Sequence, residues 1–168
     1  MDLLARCEDA WDTPDRSGDP VPILDHGLQV AAVLREWHPD DLELQVAGLV
    51  HDVGHLLSDE AGHAGAAGEA VRGLLGERVA AMVSLHVDAK RYLAATEPDR
   101  VLSPESARTL ELQGGVMSAE EAAEFAASPY GMDAVTLRRA DDLGKVVGLP
   151  PRPVEAWRPA IEAVAGTR

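Results

Sequence analysis

Cysteine, basic residues and long hydrophobic runs are all scarce in this chain of 168 residues. Its single cysteine, Cys7, excludes an intramolecular disulfide and is typical of proteins from a reducing compartment. Only 15 lysines and arginines stand against 29 aspartates and glutamates, which leaves a formal net charge of −14. Such a charge argues against nucleic acid as a partner, because phosphate backbones bind basic surfaces. A small anionic substrate is still permitted, provided that a few cations line its pocket.

No apolar segment approaches the length that spans a membrane, and the acidic start MDLLARCED lacks the basic and apolar parts of a signal peptide. We therefore expect a soluble cytoplasmic protein with no membrane partner. The length suits one domain, residues 1–168, with room for a substantial core. Neither the charge nor the length predicts an oligomeric state.

Alanine, leucine, glutamate and arginine are abundant, and the strand-like alternation of apolar and polar residues is absent over any useful length. This pattern predicts an all-α fold. Apolar periodicity and helix-start signals place helices over residues 2–11, 24–37, 40–52, 77–94, 104–112, 118–126, 131–147 and 154–165, with a further helix that begins near residue 63. The proline-rich stretches between them are predicted to be tight corners, not domain linkers.

His51 and Asp52 are neighbours in sequence and directly follow the apolar run VAGLV. Burying an imidazole beside a carboxylate is costly unless both groups have partners. A metal cation is a partner that satisfies both. The alternative is a His-Asp pair at the surface that caps the end of a helix.

Four further histidines, His26, His55, His63 and His86, lie at the ends or on the inner faces of predicted helices. A single histidine on an apolar face is usually a hydrogen-bonded core residue. Several of them beside an adjacent His-Asp pair are harder to explain in that way, because each buried ring needs its own partner. His38, within the loop-like segment WHPDD, is predicted to be an ordinary surface residue.

Imidazoles and carboxylates without thiolates suit iron, manganese or zinc better than magnesium or calcium. The carboxylate of Asp52 can bridge two cations, one shared with His26 and His51 and the other with His63 and His86. So few protein ligands per metal leave positions open for water, dioxygen or substrate.

One more carboxylate is expected from the segment RRADDLGK, which offers Asp141 and Asp142. Asp141 shares a polar helix face with Arg138, whereas Asp142 lies nearer an apolar stripe that includes Leu143. Helical spacing does not choose between the two aspartates. A solvated helix face would explain the pair equally well.

The segments that carry this chemistry are LDH at 24–26, HDVGH at 51–55, His63 at a helix start, HVDAKRYL at 86–93, LSPESARTLELQGG at 102–115, and Arg138, Asp141, Gly144 and Lys145. Their order of histidines and aspartates resembles the HD-domain superfamily of all-α metalloproteins, which includes many phosphohydrolases. The longer segments are more specific. They resemble the mixed-valence diiron oxygenases that cleave the carbon–phosphorus bond of hydroxylated phosphonates, to which myo-inositol oxygenase is a distant relative.

This resemblance implies a single HD-domain helical bundle with the metal site in its core. It implies two iron ions in a mixed-valence Fe(II)/Fe(III) state and dioxygen as co-substrate. One iron would be held by His26, His51, Asp52 and Asp141, and the other by His63, His86 and the bridging Asp52. The resemblance also favours Asp141 over Asp142, which spacing alone leaves open.

The resemblance further assigns roles on the substrate side. The residues at positions that grip the phosphonate are Lys90, Ser106, Gln113 and Arg138. His55 matches an acid/base near the substrate hydroxyl, so that His55 and Asp52 are the expected catalytic residues.

Two positions depart from the phosphonate-cleaving pattern. The best-known member of that group carries a tyrosine ten residues before the first histidine and a glutamate nearby, where this chain has Arg16 and Asp19. No tyrosine lid can form here. Arg16 is instead a candidate to meet an acidic group of the substrate.

The leading hypothesis is an oxygenase that cleaves a small (1-hydroxyalkyl)phosphonate to phosphate and a carboxylate. The alternative is a metal-dependent phosphohydrolase of nucleotides or other phosphate esters, which would use the same histidines and aspartates. A third reading is a binding module without catalytic activity, which would contain no iron or manganese.

Overall fold

The structure, a computed structural model, describes residues 1–13, 15–59 and 61–166. Every regular element within these residues is a helix, so the predicted all-α fold is confirmed. The α-helices are α1 (Asp2–Ala5), α2 (Ile23–Trp37), α3 (Leu42–Val50), α4 (His63–Leu75), α5 (Glu77–Thr96), α6 (Pro104–Leu112), α7 (Ala119–Ala127), α8 (Gly131–Asp141) and α9 (Arg158–Gly166). Short 3₁₀ helices cover Val53–Leu56 and Val154–Trp157. That residues 1–168 form a single domain stays a prediction, and residues 14, 60, 167 and 168 lie outside the described part.

Local capping signals fix the starts of several helices. The Asp41 side chain accepts from the Leu44 N–H and begins α3. Ser103 caps α6 in the same way, and a proline occupies its first turn. Ser118 and Glu121 form the reciprocal capping box that the sequence predicts for α7.

Two predicted helices near the chain start end earlier than expected. The first was predicted to reach residue 11 but ends at Ala5, because the carbonyl groups of Cys7 and Ala10 accept from the N–H groups that begin α2. α3 ends at Val50 and not at residue 52. The Gly48 carbonyl, which a longer α3 would pair with the N–H of residue 52, lies 2.9 Å from His51 Nδ1 instead.

The predicted helix over residues 131–147 is too long, since α8 ends at Asp141. After a turn, residues 144–146 run without helical structure beside α2. Side chains of α2 contact the Gly144 carbonyl and both backbone polar groups of Val146. The last predicted helix begins as the 3₁₀ turn Val154–Trp157 before α9.

The core lies where α2, α3, α4, α5 and α8 pack against one another. Its fully buried side chains include Val30, Leu34, Val46, Val79, Val83 and Leu137. A second apolar cluster joins α5, α7 and α8 around Leu93, Phe125 and Val135. Among the described residues, no helix combines the length and the hydropathy needed to cross a bilayer.

Candidate metal centre

Six histidine and aspartate side chains from separate parts of the fold form two groups of three. Within each group the candidate ligand atoms all lie within 4.8 Å of one another. The first group contains His26 of α2, His51 after α3 and Asp141 at the end of α8, and the second contains Asp52, His63 at the start of α4 and His86 of α5. The fold thus brings together all six residues that were predicted as metal ligands.

Backbone carbonyl groups orient three of the imidazole rings. His26 Nδ1 lies 2.9 Å from the Gly144 oxygen, His51 Nδ1 2.9 Å from the Gly48 oxygen, and His86 Nδ1 2.7 Å from the Val83 oxygen. A carbonyl oxygen only accepts hydrogen bonds, so each Nδ1 carries a proton. A ring that carries only this proton presents the lone pair of its Nε2 to the site, as a metal ligand must.

The Asp52 carboxylate lies between the two groups and turns one oxygen toward each. Its Oδ2 is 3.4 Å from His26 Nε2 and 3.3 Å from His51 Nε2. Its Oδ1 is 3.8 Å from His63 Nε2 and 3.5 Å from His86 Nε2. A carboxylate in this position can contact a cation in either group.

Both carboxylates remain ionised despite their burial. Burial opposes the charge of Asp52, but the surrounding histidines, His51 above all, hold its pKa well below the ordinary value. Burial likewise opposes the charge of Asp141, and the cations Arg138 and Lys145 hold its pKa well below the usual range. The site therefore offers two anionic groups to a cation.

The environments of the histidines shift their pKa values in different directions. Burial lowers the pKa of His51, and it lowers the pKa of His86 still further with help from the neighbouring His63. For His26, burial also favours the neutral ring, but the contact with Asp141 outweighs it and raises the pKa. A proton on His26 occupies the place that a cation would take, since metal ligands must give up their protons.

The residues fit two metal ions. The Nε2 atoms of His26 and His51 are buried and have no hydrogen-bond partner among the described residues, which is rare for buried polar atoms. In the other group, His63 Nε2 and His86 Nε2 face each other at 3.1 Å. One cation in each group would engage these nitrogen atoms together with the two carboxylates. Nitrogen and oxygen donors without sulfur suit a borderline transition metal.

Asp141 and Asp142, which helical spacing leaves undecided, lie in different surroundings. Asp141 is buried in the first group. Asp142 belongs to neither group, and it accepts from Arg100 Nη2 at 2.5 Å and also from Arg138 Nη2. Leu143, which was expected to continue an apolar stripe beside Asp142, is 54% exposed.

Two buried cations and three polar side chains form one wall of the adjoining cavity. Lys90 Nζ donates to Thr109 Oγ1 at 2.8 Å, and Arg138 Nη2 donates to Ser106 Oγ at 3.0 Å. Gln113 lines the same cavity, so the four predicted substrate residues meet beside the donor groups. The cavity measures about 40 Å³, which holds only a few water-sized groups.

Arg138 also contacts the first donor group directly. Its Nη1 lies 2.7 Å from Asp141 Oδ2. Burial opposes the guanidinium charge, yet Asp141 and Asp142 outweigh it and raise the pKa of Arg138. The buried Nε of Arg138 has no hydrogen-bond partner among the described residues, so one N–H remains for an anion.

His55 is half-buried and lines this cavity. Its ring stacks on that of His63, with centroids 4.1 Å apart and planes inclined by 13°. The location agrees with a proton-transfer role, which stays a prediction.

The segment before α2 closes another side of the cavity with Asp12 and Asp19. Lys145 Nζ holds Asp19 Oδ2 at 2.7 Å. Arg16 is not among the residues that line this cavity, and its contact with an acidic group of the substrate stays a prediction. Its guanidinium lies over the Trp11 ring, 4.9 Å from the centroid.

Sequence reasoning did not single out Thr109 or Asp12 as lining residues. Thr109 had a usable signal, because Ser106, Thr109 and Gln113 recur at the i, i+3 and i+7 positions of one helix face. Asp12 lies outside regular structure, where no periodicity exists to reveal it.

A larger groove of about 870 Å³ lies elsewhere on the surface, between residues 37–43, Arg78 and α9. It contains none of the predicted site residues. His38 borders this groove and is exposed, as predicted.

The comparisons with known proteins agree with the geometry of the two donor groups. The sequence model of the HD domain family matches residues 23–126. This segment contains the five candidate ligands from His26 to His86, whereas Asp141 lies beyond it.

Three relatives align with most of the chain. Hydroxymethylphosphonate dioxygenase of Gimesia maris is 35% identical over 158 residues, covering 86% of this chain and 78% of its own length. The glycine-betaine-forming (1-hydroxy-2-(trimethylamino)ethyl)phosphonate dioxygenase of Leisingera caerulea is 36% identical over 140 residues, covering 76% and 71%. An uncharacterised protein of Acanthamoeba polyphaga mimivirus is 29% identical over 158 residues, covering 86% and 72%.

Proposed function

This chain belongs to the HD domain family and to its branch of phosphonate-cleaving oxygenases, and we propose that it cleaves the carbon–phosphorus bond of a small (1-hydroxyalkyl)phosphonate with dioxygen. The observation that carries the proposal is the location of two three-donor groups beside one small cavity that the buried cations Lys90 and Arg138 line. The two relatives at 35% and 36% identity support it, since both are named as dioxygenases of hydroxylated phosphonates.

Two iron ions in a mixed-valence state are the proposed cofactor. One would be held by His26, His51, Asp52 and Asp141, and the other by His63, His86 and Asp52. When bound, the iron pair would supply electron transfer to dioxygen and a Lewis-acid contact for substrate oxygen atoms.

The phosphonate group would lie against Lys90 and Arg138. Both side chains are buried, at 3% and 5% exposure, so their charges act with little solvent screening. Ser106 and Gln113 add neutral hydrogen-bond donors. In a chain with a net charge of −14, these two buried cations are the groups that would bind an anion.

The proposed role of His55 is to hold a proton at the substrate hydroxyl group. His55 lines the cavity and its ring stacks on that of His63. A neutral imidazole there accepts the hydroxyl proton and returns it to a product oxygen.

The overall reaction balances without a further reductant. One substrate and one dioxygen give one carboxylate and one phosphate, so the carbon is oxidised while dioxygen is reduced. The carbon–phosphorus bond breaks, and the oxygen atoms from dioxygen are divided between the two products.

The test uses protein loaded with ferrous iron in the absence of air. Hydroxymethylphosphonate and (1-hydroxy-2-(trimethylamino)ethyl)phosphonate are added with and without dioxygen, and phosphate release is measured alongside dioxygen consumption. We expect phosphate only when dioxygen is present, in a one-to-one ratio. Phosphate release from a simple phosphate ester without dioxygen would favour the hydrolase instead. Absence of bound iron and of any turnover would favour the binding module.

A further inference from the structure

The side-chain amide of Gln29 pairs with the backbone of one residue from the distant end of the chain. Its Nε2 donates to the Val146 carbonyl at 3.1 Å, and its Oε1 accepts from the Val146 N–H at 3.0 Å. We propose that Gln29 is a positioning residue for the metal ion of His26, His51 and Asp141. The proposal rests on the metal ligands assigned above, but not on the phosphonate reaction.

Residues 144–146 connect Gln29 to His26. Gly144, two residues before Val146, accepts from His26 Nδ1 at 2.9 Å. A Cβ atom on Gly144 would lie 2.4 Å from Val30 Cγ2 and 3.2 Å from His26 Nδ1, so the segment has no space to approach α2 more closely. The two hydrogen bonds of Gln29 hold the segment at this distance. They thereby keep the Gly144 carbonyl in place, and this carbonyl fixes the proton on His26 Nδ1.

The same segment also contacts Asp141. Lys145 lies between the two anchored residues, and its Nζ is 3.4 Å from Asp141 Oδ1 and 2.7 Å from Asp19 Oδ2. Without the amide of Gln29, the polar backbone groups of Val146 would turn to water, and Lys145 would move with them. Two of the three donors in the first group thus contact the segment that Gln29 anchors, and Asp141 has a further contact with Arg138.

The second donor group has a separate support. His86 Nδ1 bonds to the Val83 carbonyl of its own helix, and His63 begins α4. Residues 144–146 contribute to neither contact. A change at Gln29 should therefore weaken the binding of one metal ion and leave the binding of the other unchanged.

The experiment replaces Gln29 with methionine, which has a similar length and cannot make either hydrogen bond. Wild-type and Q29M protein are loaded with ferrous iron without air, desalted and assayed for iron, and both dissociation constants are measured by titration. We expect two tight ions in the wild type. In Q29M we expect one ion to bind about 10- to 100-fold more weakly, the range typical of lost outer hydrogen bonds.

Gln45 provides the matched control. It is equally buried, and its Nε2 donates to the His38 carbonyl at 2.8 Å and the Pro39 carbonyl at 3.1 Å, away from the donor groups. Gln45→Met should lower the midpoint of thermal unfolding and retain both ions. A second variant, Gln29→Glu, keeps the acceptor for Val146 N–H but loses the donor, and should weaken the same ion if Q29M does not fold.

Three results would overturn the proposal. Both Gln29 variants could retain two ions at wild-type affinity, they could lose both ions equally, or Q45M could lose the same ion as Q29M. Wild-type protein that binds no iron would overturn the ligand assignment together with this proposal. Inactive protein with two ions and a selective loss in Q29M would support the proposal and refute only the phosphonate reaction.

Discussion

Arg138 and Asp141 form a buried ion pair, with Arg138 Nη1 2.7 Å from Asp141 Oδ2. One partner belongs to the proposed anion pocket and the other to the proposed metal site. Their separation by three residues on α8 places both on one helix face. Substrate binding and metal binding should therefore influence each other through this contact.

Replacing Arg138 with lysine tests this coupling. Lysine keeps the charge but lacks the planar guanidinium group that contacts Asp141 and Ser106 at the same time. We expect KM for a hydroxylated phosphonate to rise by about 10- to 100-fold, corresponding to roughly 1.4–2.7 kcal/mol. Arg139→Lys is the control, since Arg139 is exposed and pairs with Glu97. Equal kinetics in the two variants would refute the prediction.

Neutralising Asp141 should remove a metal ion, whereas neutralising Asp142 should not. Asp141 lies in the first donor group, and Asp142 pairs with Arg100. We expect Asp141→Asn to bind one iron less per chain and to lose more than about 100-fold in activity. Asp142→Asn should retain both ions. Elemental analysis of the two purified variants decides this, and iron loss in D142N alone would reverse the assignment.

Adding a methyl group at Gly144 should strain the contact between α2 and the segment after α8. The new Cβ would lie 2.4 Å from Val30 Cγ2, closer than such atoms approach each other. We expect Gly144→Ala to lower the free energy of unfolding by about 1–3 kcal/mol. Gly73→Ala in α4 is the control, because its Cβ would meet nothing within 4 Å and alanine favours a helix by about 1 kcal/mol. Urea unfolding measures the free energy of unfolding of both variants. Gly144→Ala protein as stable as Gly73→Ala protein would show that the Gly144 contact is not tight.

The ion pair between Asp41 and Arg78 should contribute stability that depends on pH. Arg78 Nη2 lies 2.7 Å from Asp41 Oδ2, and its hydrogen bonds lower the pKa of Asp41 against the opposing effect of burial. A lowered pKa means that the stabilisation is present above the unfolded-state value near 3.9 and disappears as the pH falls through the folded-state value. Asparagine caps a helix about as well as aspartate, so Asp41→Asn removes mainly the charge.

We therefore expect D41N to be less stable than wild type by roughly 1–2 kcal/mol at pH 7, with the difference shrinking below about pH 4. Urea unfolding at several pH values measures it. A difference that stays constant down to pH 3 would show that the charge of Asp41 is not its source.

The adjacent His51 and Asp52, the four other buried or half-buried histidines, and the helical periodicity were readable without coordinates. Each depends on local information: residue type, and spacing along one helix. The capping box of α7 is local in the same sense, and it was predicted to the residue. The helix ends were less predictable. α1, α3 and α8 all end where a backbone carbonyl or N–H bonds to a residue outside the helix.

Residue chemistry and helical periodicity by themselves determined that this chain is an all-α protein with a cluster of imidazoles and carboxylates suited to transition metals. The tertiary structure decided that Asp141 and not Asp142 faces that cluster, that Arg16 stacks on Trp11, and that Gln29 holds the segment behind His26. The physical reason is sequence distance. Gln29 and Val146 are 117 residues apart, and no local preference reveals which faces of two remote segments pack together.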